Sequence, residues 1–115
     1  MRLKDIRKDL NIVNSVDWEM TPEEAIALHL EWGQLRGQTY YRDHNSETVY
    51  FSISTWKNPP IVSLVRRKGF DSEELANFRL PERLEKKFME ANGRHKGVFA
   101  VEGEIRSWLR KELDC

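Results

Sequence analysis

An α+β fold is predicted by three features of this sequence. Apolar residues repeat at helical spacing near both ends: Leu3, Ile6, Leu10 and Val13 first, then Leu84, Phe88 and Ala91, then Ile105, Trp108, Leu109 and Leu113. Between these stretches, Thr48 to Trp56 alternates and is rich in β-branched and aromatic residues, the pattern of a strand. Asn58-Pro59-Pro60 then turns the chain into a second such run, Ile61 to Arg67, and a link that short makes the pair antiparallel. With 115 residues the chain has the size of a single domain. A domain of this length buries roughly two-thirds of its unfolded surface, enough for a core without disulfides or metal.

The elements follow in order. The first stripe predicts a helix over about 2–13. Thr21-Pro22-Glu23-Glu24 is a capping box with proline at the first helical position. The helix it opens runs to about Trp32 and stops at Gly33. Ala25, Ile26, Leu28, Leu30 and Trp32 cover more than one of its faces, which predicts the most buried helix of the fold. Leu35 to Arg42 reads as a strand, and Asp43-His44-Asn45-Ser46 turns it into the next. With the two runs above it completes an antiparallel meander of about three strands. In the Thr48 strand one face carries Val49, Phe51, Ile53 and Thr55; the other carries Tyr50, Ser52, Ser54 and Trp56. In the next strand Val62 and Leu64 oppose Ile61, Ser63 and Val65. Asp71 to Asn77 reads as one helical turn, Pro81 to Asn92 as a helix closed by Gly93, Val98 to Val101 as a short fourth strand, and Glu104 onward as the last helix. Phe51, Ile53, Val62, Leu64, Leu30, Leu84, Phe88 and Trp108 are the expected core.

The charge bounds the partners. Nineteen basic residues balance nineteen acidic ones, so no net field holds the chain on nucleic acid or on an anionic membrane, although a local patch is still allowed. Cys115 is the single cysteine, has no partner within the chain, and fits a reducing compartment. The first residues are charged and no apolar stretch approaches bilayer length. The expectation is a cytoplasmic protein without a membrane partner.

Val16-Asp17-Trp18-Glu19-Met20-Thr21-Pro22-Glu23, Leu30-Glu31-Trp32-Gly33, Tyr50-Phe51 and Thr55-Trp56 together resemble a family of small uncharacterised bacterial proteins. The resemblance spans most of the chain. It implies an α+β fold in a bacterial cytoplasm, and it carries no activity and no functional residue.

Each candidate chemistry competes with a structural reading. His29, His44, His95 and Cys115 are scattered and lack the close spacing of metal ligands, so neither metal nor cofactor is expected. No Gly-x-Ser-x-Gly elbow is present. Charged residues make up 33% of the chain, so neighbouring carboxylates read as solvated faces rather than catalytic pairs. Gly93-Arg94-His95-Lys96-Gly97 brackets three donors with two glycines and has the makings of an anion loop. It follows a helix C-terminus, however, whereas phosphate loops precede an N-terminus, so the structural reading leads. Tyr50 and Trp56, with Arg66, Lys68 and their neighbours ending the adjacent strand, have the composition of a single-strand nucleic-acid platform. Buried aromatics are the default in small domains, so both rings read first as core. The leading expectation is therefore a non-enzymatic binding or protein-interaction module. A weak single-stranded nucleic-acid binder using the Tyr50/Trp56 face comes second, and a small enzyme third.

Overall fold

The computed structural model describes residues 2–19, 47–56, 58–68 and 71–115. The expected helix from Thr21 to Trp32 with its cap and Leu30, and the expected strand from Leu35 to Arg42, lie outside the described residues. Four helices and four strands are described: α1 (Leu3–Arg7), α2 (Leu10–Ser15), β1 (Glu47–Ser54), β2 (Ile61–Lys68), β3 (Asp71–Phe78), α3 (Glu82–Asn92), β4 (Val98–Ala100) and α4 (Gly103–Glu112). The strands form one antiparallel sheet in the order β3-β2-β1-β4, and the α+β class read from the sequence holds.

The first stripe forms two helices rather than one. The side chain of Asp9 accepts from the backbone N–H of Ile12 at 3.2 Å and so opens α2 as a fresh start. The break shifts the phase of the stripe. Ile6, Ile12 and Val13 are buried, and Leu10, expected among them, is exposed. Val16 and Asp17 then meet β1 in one parallel bridge: Asp17 N–H donates to the Val49 carbonyl at 2.8 Å, at a point on β1 that the three-residue β4 does not reach. This segment is tied to α4, where Arg106 donates to the Trp18 carbonyl at 3.1 Å and the Arg110 guanidinium lies 5.6 Å from the centre of the Trp18 ring.

Asp71 to Asn77 corrects a second expectation. It is an eight-residue strand paired with β2, outermost among the described residues, not a helical turn. Glu73, Glu74, Leu75 and Ala76 favour helix intrinsically, and pairing along all of β2 overrides that weak preference. A register shift opposite Leu64 and Val65 inserts Leu75, a β-bulge, so that Leu75 packs on the core together with Ala76 and Phe78.

All four described helices pack on one face of the sheet. That face presents Val49, Phe51 and Ile53 from β1, Val62 and Leu64 from β2 and Ala76 from β3 to Ile6, Ile12, Val13, Leu84, Phe88, Leu109 and Leu113. Each fully buried side chain of this size contributes about 1.5–3 kcal/mol. Trp108, expected in the core, is half-buried at its margin. Helix α3 ends at Gly93 as expected, for a reason other than left-handed backbone: φ is −66°, but a Cβ there would sit 2.6 Å from the Met89 carbonyl oxygen. Gly103, at φ 57°, occupies the left-handed region at the start of α4.

Candidate functional site

The register of β1 on β2 divides the residues singled out in the sequence. Tyr50 pairs with Val65, Arg66 with Val49, and Lys68 with Glu47. Paired residues point to the same side of a sheet. Arg66 and Lys68 therefore belong to the Phe51 side, and Arg67, opposite Thr48, is the cation on the side of Tyr50. Tyr50 is 4% exposed and clusters with Val65 and Ala100, while Thr48, Ser52 and Arg67 are buried nearby. Burial pushes the Tyr50 phenol above its ordinary pKa, and the positive charge of Arg67 partly opposes that. Arg66 is already engaged, 3.0 Å from Glu73 and 3.7 Å from Glu47. The second reading, an aromatic and basic platform of Tyr50, Trp56, Arg66 and Lys68, is thus divided by strand register between the two faces of the sheet.

Trp56 reverses the core expectation. It lies just past the end of β1 and is 60% exposed. It also sits at the far end of the sheet from Lys68, since the Glu47/Lys68 and Ser54/Ile61 pairs are separated by roughly 23 Å at about 3.3 Å per residue.

What stands beside Trp56 is the loop from Gly93 to Gly97, brought there by Thr55. The Thr55 hydroxyl donates to the His95 carbonyl at 2.7 Å and accepts from the Gly97 N–H at 2.9 Å. The Thr55 N–H donates to the Gly97 carbonyl, also at 2.9 Å. Thr55 is buried, so these bonds satisfy groups that would otherwise be costly to hide. Arg94, His95 and Lys96 project from this pinned loop, all three exposed and none in an ion pair with another described residue.

The backbone of the loop offers an anion few donors. Gly93 N–H donates to the Met89 carbonyl, His95 N–H to the Asn92 carbonyl and Gly97 N–H to Thr55, so three of the amides that would have to converge on an anion are engaged within the protein. What the loop offers a ligand is side chains.

Thr55 is the residue that sequence reasoning placed on a face but gave no role. The available signal was a polar group ending the Val49, Phe51, Ile53 row, because a hydroxyl in line with core residues needs partners from elsewhere in the fold. Replacing Thr55 by Val leaves the Gly97 N–H and the His95 carbonyl without their partner and is expected to cost about 1–3 kcal/mol. Thr55→Ser keeps the hydroxyl and should recover most of it. Chemical denaturation of the two variants provides the check, and equal midpoints for Val and wild type would show that the hydroxyl does not hold the loop.

A recess of about 250 Å³ lies between α3, β4 and α4 over Leu84, Phe88, Phe99 and Ile105. It is smaller than the usual small-molecule pocket. Its rim is largely self-neutralised: Glu104 is 2.8 Å from both Lys87 and Arg83, whose hydrogen bonds and charges hold its carboxyl down at about 2. Among the described residues no group of three His, Cys, Asp or Glu side chains is placed to hold a metal ion, and no helix is long and apolar enough to cross a membrane. Cys115 is exposed. No protein-family model, curated protein or solved structure matches this chain.

Proposed function

We propose that this chain is a small non-enzymatic protein-interaction module whose contact surface is the end of the sheet formed by Trp56 and the loop from Gly93 to Gly97. The observation that carries the reading is the 60% exposure of Trp56 beside Thr55, which is buried and hydrogen-bonded through both its hydroxyl and its N–H. Trp and Arg dominate the energetics of protein interfaces, and a rigid aromatic loses little conformational entropy on binding. The single-strand nucleic-acid alternative needs successive rings for successive bases. With Tyr50 4% exposed, the rings it relied on reduce to one.

Trp56→Ala is the test. Stability should stay within about 0.5 kcal/mol of wild type, as for other exposed sites. Capture of a partner from nuclease-treated native extract should fall by the equivalent of at least about 2 kcal/mol, the scale of an interface hot spot. Undiminished capture by a stable Trp56→Ala protein would remove this surface from consideration, and capture lost on nuclease treatment would favour the nucleic-acid reading.

A further inference from the structure

We infer that the partner segment docking on this surface is acidic: a stretch of protein chain rich in Asp and Glu that sets an apolar side chain against Trp56 and its carboxylates against Arg94, His95 and Lys96. The inference rests on the module reading above and adds the chemistry of the partner. Three observations carry it.

The first is charge. From Ala91 to Val101 the chain contains no acid, while Arg94 and Lys96 place two full positive charges two positions apart. Several cations elsewhere on the described surface stand against carboxylates, Arg66 on Glu73, Arg79 on Glu85, Arg83 and Lys87 on Glu104, while others such as Lys86 and Lys111 do not. The loop's basic groups have no such partner among the described residues. In a chain of zero net charge this is a local field, and it selects a partner of opposite sign at short range.

The second is preorganisation. Bonds from Thr55 fix the carbonyl of His95 and both the amide and the carbonyl of Gly97. The loop presents its side chains from a backbone that is already set, which lowers the ordering cost of binding. The third is what the loop withholds. With the amides of Gly93, His95 and Gly97 engaged, only those of Arg94 and Lys96 are left to a compact phosphate. Side-chain cations spread along a loop suit carboxylates spread along a peptide better than one small anion.

The experiment uses the full chain, labelled with a dye at Cys115, its single and exposed thiol. The probe is an immobilised peptide library in which net charge and hydrophobicity vary independently. Binding should rise with Asp and Glu content, require an apolar residue, and weaken as salt is raised. The double variant R94E/K96E should bind acidic peptides at least about tenfold more weakly with an unchanged thermal midpoint, because like charges then face each other. Lys68→Glu, a reversal at the opposite end of the sheet, should leave binding unaltered.

Acid-dependent binding that survives R94E/K96E, or falls equally with Lys68→Glu, overturns the site. Binding that depends on Trp56 but is indifferent to peptide charge, or the absence of binding to any acidic peptide at low salt, overturns the acidic partner; Trp56-dependent capture then still stands for the module reading. A single-stranded oligonucleotide that displaces the peptides and binds more tightly overturns the inference in favour of nucleic acid.

Discussion

Phe51→Ala should destabilise the protein by about 3–5 kcal/mol, a large part of the total stability of a domain this size. Phe51 is 2% exposed at the centre of the helix-covered face. Its ring centre lies 5.6 Å from that of Trp18 and 6.2 Å from that of Phe78, and Phe78 in turn meets Trp108 at 6.3 Å, edge to face. One side chain thereby joins the segment after α2, β1, β3 and α4. Truncation removes the area it buries, leaves a cavity the flanking rings cannot close without moving, and forfeits aromatic pairing that contributes about 0.5–1.5 kcal/mol per contact beyond burial. Urea denaturation followed by tryptophan fluorescence measures the change. A loss below about 1 kcal/mol would mean that the ring chain does not hold the layers together.

Leu84→Ala should cost about 2–5 kcal/mol. Leu84 is 3% exposed and, four residues before Phe88, forms the apolar row by which α3 meets the sheet. An isolated helix of 11 residues is marginal in water, so α3 exists because this row is buried. Two longer-range effects should accompany the loss. The contacts of Arg83 and Lys87 with Glu104 depend on α3 keeping its position, and the Gly93 loop begins where α3 ends. Amide hydrogen exchange should therefore quicken through α3 and into the 93–97 loop while the β1–β2 pair stays protected. Equal protection everywhere would show that α3 is held by something other than Leu84.

The parts of the fold that were legible in the sequence are those in which local pattern and tertiary role agree. β1 and β2 alternate as strands should, and Phe51, Ile53, Val62 and Leu64 are buried on one face as expected, although Thr48, Tyr50 and Ser52 on the opposite face of β1 are buried too. α3 carries a clear stripe and ends at its glycine. Pattern failed where a tertiary contact outvoted it. β3 is written in helix-favouring residues and is a strand because β2 offers it a ladder. The first stripe looked continuous because its spacing was right, but Asp9 competes for the Ile12 amide and restarts the helix.

The candidate surface was half legible. Arg94, His95 and Lys96 stood out by composition and Trp56 by type, yet each was grouped with the wrong neighbours. Sequence adjacency put Arg66 and Lys68 near Tyr50 and Trp56. Register, which no composition reveals, puts them on the other face and, for Trp56, at the other end. The link from Trp56 to the loop spans some forty residues of sequence and runs through one threonine hydroxyl.

The make-up of β3 has one more consequence. Among the described residues it is the outermost strand beyond β2, with Ser72, Glu73 and Glu74 exposed along it. A bare strand edge invites another copy of the chain to extend the sheet, which is how orderly aggregates begin. Carboxylates stacked between like strands would repel one another, and the bulge at Leu75 spoils the straight edge that such stacking requires. The composition that disguises β3 as a helix thus also works against pairing of that edge with its own kind.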